Sequence, residues 1–153
     1  PDRGFCPADP SYDYGCAANV AHARLQGLSL GGGALWGDWE LRAQIDFTDA
    51  RDEDSGARLP RRAAHQASLD AQYTWGDWRF GAALLQVGER PDGGVKLPQE
   101  TTLNLKARWQ FAPQWTLEAR VVNATDQDLQ PARDAQDLGR QFWLGVRYRF
   151  EGR

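Results

Sequence analysis

The sequence predicts an all-β chain, an antiparallel up-and-down transmembrane β-barrel, on three observations. Apolar and polar residues alternate along most of its length, short turns at one end of the strands oppose long charged loops at the other, and tryptophans gather beside the short turns. Length and charge are compatible with that class without requiring it. The 153 residues suffice for one domain with a sizeable core. A formal net charge of −3 gives no reason to expect nucleic acid as a partner. No apolar run approaches the ~18–20 residues of a membrane helix, which excludes a helical membrane protein. Barrel strands escape that test, because they are apolar only at every second position. The chain opens Pro1-Asp2-Arg3 without an initiator Met or a signal peptide, so either a leader was removed or this is a piece of something longer.

Residues 1–18 are rich in Pro, Gly, Asp and Tyr, lack any periodicity and read as a loop. Both cysteines, Cys6 and Cys16, fall within it. A disulfide there would close a small ring, stabilise by roughly 2–3 kcal/mol and imply an oxidising compartment. Two free thiols are the plain alternative. A metal site is the third, and neither a second Cys pair nor a nearby His supports it.

Strands begin at Asn19. Leu28, Leu30, Ala34 and Trp36 share one parity, and Gly37-Asp38 is a two-residue hairpin signal. Glycine at 31–33, with no Lys-Ser/Thr and no helix after it, reads as a bend in a barrel strand rather than a phosphate loop. Trp39, Leu41, Ala43, Ile45 and Phe47 then alternate with Glu40, Arg42, Gln44, Asp46 and Thr48, before a charged loop at 49–60. Leu69, Ala71, Tyr73 and Trp75 lead to a second tight turn, Gly76-Asp77, and Trp78, Phe80, Ala82 and Leu84 return to a Gly/Pro-rich loop at 88–100. Leu103, Leu105, Ala107, Trp109 and Phe111 precede the turn 112–114, and Trp115, Leu117, Ala119 and Val121 follow it. A loop at 124–139 leads to the closing strand, where Phe142, Leu144, Val146, Tyr148 and Phe150 oppose Gln141, Arg147 and Arg149.

This makes seven strands, one hairpin per repeat of about 37–39 residues. Six of the seven tryptophans, Trp36/Trp39, Trp75/Trp78 and Trp109/Trp115, flank the short turns on the apolar parity. That is the pattern of an aromatic girdle at one membrane interface, whereas a soluble sandwich would scatter tryptophans through its core. Single-chain bacterial barrels have even strand numbers, and open sheet edges are not viable in lipid. Seven strands are therefore expected to be an arc of a larger barrel.

Four segments carry a family resemblance. Asn19-Val-Ala-His-Ala-Arg-Leu-Gln-Gly27 resembles the "NV…AR(I/L)xG" strand opening of TonB-dependent outer-membrane receptors, and Leu59-Pro-Arg-Arg-Ala-Ala-His-Gln66 resembles their "(L)PRRxxHQ" segment. Ala119-Arg-Val-Val-Asn-Ala-Thr-Asp126 stands where the family has "VxNLFDxxY", and Gly139–Phe150 resembles its Phe-ended closing strand. Within the family the likeness leans to the vitamin B12 (cobalamin) receptors. The resemblance implies a 22-stranded, plugged barrel in the bacterial outer membrane. Residues 1–18 would be an extracellular loop segment, 19–150 the C-terminal strands and 151–153 an overhang. It further implies periplasmic short turns, outer-membrane lipid around the apolar face, TonB as a partner through an N-terminal plug, and folding by the barrel-assembly machinery. The plug and roughly two-thirds of the barrel lie outside the chain. Asn-Ala-Thr-Asp replaces Asn-Leu-Phe-Asp, Ser29 sits where many relatives have Glu, and Glu151-Gly152-Arg153 extends past the terminal Phe.

No catalytic constellation, metal site or cofactor site is read, so the expected function is transport rather than catalysis. His22 and His65 read as polar rim residues. Asp49, Asp52, Glu53 and Asp54 are oxygen-rich enough for calcium, but Arg51, Arg58, Arg61 and Arg62 make a solvated charge run the better reading. Tyr12 and Tyr14 are the candidate contacts for an extracellular ligand. The expected cargo is large and scarce, cobalamin first and a siderophore second. A small closed barrel with a structural or adhesive role is the reading from another class, and a soluble lipocalin-like binder is disfavoured by the one-rim tryptophans.

Overall fold

The computed structural model describes residues 22–132, 135 and 139–150. Its strands are β1 (Ala23–Trp36), β2 (Trp39–Asp52), β3 (His65–Trp75), β4 (Trp78–Val87), β5 (Arg90–Asp92), β6 (Val95–Leu97), β7 (Glu100–Ala112), β8 (Trp115–Val122) and β9 (Gln141–Tyr148). Among the described residues there is no helix. Seven strands form one antiparallel sheet in the order β1-β2-β3-β4-β7-β8-β9, so neighbours in sequence are neighbours in space. Among the described residues β1 and β9 each pair on one side only, leaving an open arc with two edges.

The register fixes the two faces. Trp36 lies opposite Trp39, Trp39 opposite Tyr73, Tyr73 opposite Phe80, Phe80 opposite Ala107, Ala107 opposite Ala119, and Ala119 opposite Leu144. Residues directly opposite in an antiparallel pair share a face, so every apolar parity read from the sequence meets its neighbour's apolar parity across all six interfaces. A slip of one residue at any of them would put a polar row into the apolar face.

That apolar face is open to its surroundings. Leu28, Leu30, Ile45, Phe47, Leu69, Leu84, Leu105, Phe142, Leu144 and Val146 are all exposed. The buried apolar residues among those described are only Ala50, Ala63 and Leu97, all at the long-loop end. A contiguous apolar surface of this extent marks a face that meets something other than water.

The short turns are built as the dipeptides require. Gly37 and Gly76 have φ of 57° and 54°, with Asp38 and Asp77 outside the positive-φ region, the pattern of a hairpin turn with Gly in the first central position. Each turn is stitched to the next hairpin: Thr74 N donates to the Asp38 carbonyl, Gln110 N to that of Asp77 and Arg149 N to that of Gln114. Between β7 and β8 the register shifts between Trp109 and Ala112, a bulge that leaves Pro113-Gln114 as the turn.

Three expectations are corrected. The Gly/Pro-rich segment 88–100 is not plain loop, since β5 and β6 pair within it around Gly93 and Gly94, both at positive φ. The closing strand runs Gln141–Tyr148 rather than to Phe150, because Arg149 turns its N–H to the Gln114 carbonyl. The first strand starts at Ala23, and positions 19–21 lie outside the described residues. The loop segment 1–18 and the overhang 151–153 lie outside them as well.

Candidate functional site

Three regions of the arc bring chemistry together: the ring-lined short-turn end, the polar face, and the base of the long loops. At the short-turn end the rings form a ladder. Trp78 stacks on Trp109 (centroids 5.1 Å apart, planes 2° apart) and on Phe80. Trp109 then meets Phe111, Phe111 meets Trp115, Trp115 meets Tyr148 at 4.7 Å, and Tyr148 meets Phe150 edge-on. On the other side Trp39 meets Tyr73 at 4.8 Å. The bulge after Trp109 shifts the register so that Phe111 reaches Trp115. The Tyr148 hydroxyl donates to Gln114 Oε1 at 2.8 Å, so its polar tip is partnered while its ring stays in the ladder. Trp36, Trp39, Trp75, Trp109 and Trp115 are exposed, and Trp78 lies half-buried between its neighbours.

The polar face carries Glu40, Arg42, Asp46, Asp70, Lys106, Arg108, Glu118, Arg120 and Arg147, as the alternation required. Glu118 is its hub. Arg108 Nη2 donates to Glu118 Oε2 at 3.1 Å, and Arg120 pairs with the other carboxylate oxygen. Trp143 is the one tryptophan on this face, in register with Arg120 and exposed.

The base of the long loops holds all the buried polar side chains among the described residues: Arg90, Asp92, Glu100 and Asn123. Asn123 is fully buried and sits at φ 52°, a left-handed conformation that Asn tolerates better than most residues. Its Nδ2 donates to the Gln127 carbonyl, its Oδ1 accepts from Gln127 N, and its own N–H donates to Asn104 Oδ1. The Gln127 side chain in turn accepts from Thr101 N at 2.7 Å. Arg90 Nη2 donates to Glu100 Oε2 at 2.9 Å and to the Gln130 carbonyl at 2.7 Å, while Gln130 N donates to Glu100 Oε1. Arg61 Nε donates to Asp92 Oδ1 at 3.1 Å, and Arg61 N to the Pro91 carbonyl.

The predicted charged loop at 49–60 begins as strand, since β2 runs to Asp52, and this acidic strand end and the turn after it are internally engaged. Arg51 Nε donates to Asp49, and His22 Nδ1 lies 3.3 Å from Asp54. The Ser55 hydroxyl and the Asp54 N–H both donate to Asp52, and these bonds hold its carboxyl below the ordinary value. Among the described residues no group of three His, Cys, Asp or Glu is arranged to hold a metal.

Of the residues singled out from the sequence, the six tryptophans gather at one end and one face, and Phe142, Leu144, Val146, Tyr148 and Phe150 line the exposed apolar edge of the arc. Tyr12, Tyr14, Cys6 and Cys16 lie outside the described residues. Sequence reasoning missed Arg90, Asp92 and Glu100, whose burial depends on loops folding back over them. It also missed the inward Trp143. Asn123 stood inside a quoted motif, and the signal there was an Asn followed by a polar turn at a strand end.

Comparison with known proteins agrees with this architecture. Residues 2–124 match the family model described as TonB dependent receptor-like, beta-barrel. The metal-pseudopaline receptor CntO of Pseudomonas aeruginosa is 35% identical over 139 residues, covering 81% of this chain and 20% of that protein. Among solved structures, the copper transporter OprC superposes with a TM-score of 0.70 at 20% identity, covering 84% of this chain and 24% of that one. The ferripyoverdine receptor of the outer membrane of Pseudomonas aeruginosa superposes at 0.66 with 18% identity, over 82% of this chain and 19% of that one. The chain thus spans about a fifth of the length of the curated relative. At these identities the structures speak for the fold alone.

Proposed function

The chain belongs to the TonB-dependent receptor β-barrel family, and on that premise we propose that it is the C-terminal arc of the wall of an energised outer-membrane importer for a metal chelate of the siderophore type. Its place is the outer membrane. The observation that carries the reading is the register, which sorts seven strands into one unbroken apolar face and one charged face with aromatic rings at a single end. A wall with lipid on one side and a polar lumen on the other has that construction. The tryptophan ladder is then the girdle at the periplasmic interface, and the long loops face outward.

Cobalamin, the first expectation for the cargo, finds no support. The relatives named above are receptors and a transporter for metal chelates or metals, which favours the siderophore-type cargo kept second. In the proposal residues 1–18 are an outer loop segment in which Tyr12 and Tyr14 touch the ligand and Cys6 and Cys16 close a ring. Residues 19–150 are the C-terminal strand region with its connections, and 151–153 are an overhang. TonB engages through a plug outside this chain, and the last strand with the Phe150 just after it is what the barrel-assembly machinery meets. A small closed barrel would need β1 and β9 joined, directly or through an eighth strand from residues 1–18, and among the described residues they stand as separate edges.

The test is growth under metal limitation of a strain deleted for the full-length gene, supplied with ferric, zinc or copper chelates one at a time. Loss of growth on one chelate, restored by the gene and not by a version lacking 19–150, is the expected result. Unchanged uptake of every metal chelate, with loss of cobalamin uptake instead, would return the cargo to the first expectation.

A further inference from the structure

The described residues that are packed away from solvent are not spread through the sheet. Ala50, Ala63, Arg90, Asp92, Leu97, Glu100 and Asn123 all sit where the long connections meet the strands. Three consecutive connections are tied together there. Arg61, in the 53–64 connection, reaches the β5–β6 hairpin through Asp92 and the Pro91 carbonyl. Arg90, at the foot of the hairpin, reaches Glu100 at the start of β7 and the Gln130 carbonyl in the third connection. Gln130 closes the ring by donating back to Glu100.

We infer that Arg90 is a positioning residue: by holding Glu100 and the Gln130 carbonyl together, it welds the connections 53–64, 88–99 and 124–132 into one rigid block. The physical reason is burial. Arg90 is 6% exposed and Glu100 7%, so neither charge has water to fall back on if the other leaves. A guanidinium also forks toward two acceptors in a fixed plane, which a lysine ammonium does not. The hairpin is strapped on both sides, so it cannot swing as an independent flap, and neither neighbour can move without it. Ala63 and Leu97, one in each of the first two connections, are buried as well, and Asn123 at the end of β8 ties down the start of the third through Gln127. Resting on the transport reading, the block is the fixed side of the ligand mouth, and any closing motion belongs to other loops.

The experiment is hydrogen–deuterium exchange by mass spectrometry on the full-length protein in detergent, comparing wild type with Arg90→Met, Arg90→Lys, Glu100→Gln and the swap R90E/E100R. Arg90→Met should raise exchange in 57–64, 90–97 and 124–132 together, by at least ~100-fold, the scale on which breaking a buried ion pair is felt. Strand segments 105–109 and 115–120 and the heat-modifiable gel mobility should stay unchanged. R90K should recover part of the protection; the swap should recover less, because it sets a carboxylate against the Gln130 carbonyl and a guanidinium against the Gln130 N–H. A rise confined to 90–97, with the Arg61 and Gln130 segments unmoved, would overturn the inference. If Arg90→Met fails to fold, Glu100→Gln carries the same comparison with less perturbation. In uptake assays, an altered half-saturation concentration with unchanged maximal rate is expected for a residue that places the ligand mouth. Exchange needs no ligand, so the block can stand while the transport reading falls, or the reverse.

Discussion

At Asn123 a left-handed backbone and a fully buried amide coincide, and both would be lost in Asn123→Ala. Alanine at positive φ costs ~1–2 kcal/mol, and the Gln127 N–H and carbonyl would lose their buried partners at roughly 1–3 kcal/mol each. The expected outcome is a marked fall in melting temperature, with Asn123→Gly less severe because glycine removes the backbone part of the cost; thermal scans of the detergent-folded protein check both. Gly27 presents a different constraint. A Cβ there would sit 2.4 Å from the Phe47 carbonyl oxygen, so Gly27→Val must push β1 off β2, at about 1–3 kcal/mol. Its readout is the yield of heat-modifiable protein. Asp52 supplies the pH dependence. Its folded carboxyl is held below the ordinary value by Ser55 and the Asp54 N–H, so its contribution is present above the unfolded carboxylate value and is lost as pH falls through the lower folded one. Exchange in 52–57 should therefore rise in acid, and Asp52→Asn should show the loosened turn already at neutral pH.

Among the elements, the strands were legible because each has one apolar side, and a period of two needs no knowledge of the neighbour. The short turns were legible because Gly-Asp between alternating runs specifies a hairpin. What was not legible depended on the chain returning from a distance. β5 and β6 are three residues each, too short to show a period, and are held by contacts to Arg61 and Gln130 that lie far away in sequence. Arg90 and Glu100 fall in a segment that reads only as a Gly/Pro-rich loop, and their burial goes with partners such as Gln130, 30 or more residues away. The ring ladder lies between these cases: its positions were readable, while the stacking of Trp78 on Trp109 required the β4–β7 register. A double-mutant cycle of Trp78→Leu and Trp109→Leu should give a coupling of ~0.5–1.5 kcal/mol beyond the separate losses. Coupling near zero would mean the rings act only as independent anchors.

For the whole molecule, the open arc leads to a prediction about the chain alone. With two edges unpaired among the described residues and an exposed apolar face, residues 1–153 expressed by themselves should associate or stay heat-insensitive in detergent gels. A sharp heat-modifiable band would instead mean that the chain closes on itself, and would favour the small-barrel reading. The rings also measure something about the complete wall. The hydrogen-bonded row that starts at Trp36 arrives at Leu144, yet the ring that continues the ladder in the last strand is Tyr148, four residues further on. At ~3.4 Å per residue and ~4.8 Å between strands, a slope of four residues in six steps is a strand tilt of about 25°. The bilayer plane therefore cuts obliquely across the ladder of backbone bonds, and shear is written into where the tryptophans stand. If the complete wall has the twenty-two strands that the resemblance implies, that tilt would give a cylinder about 35–40 Å across. A register slip by a neighbouring strand would lift every later ring out of that plane, so the level of each ring reports the pairing of every hairpin before it.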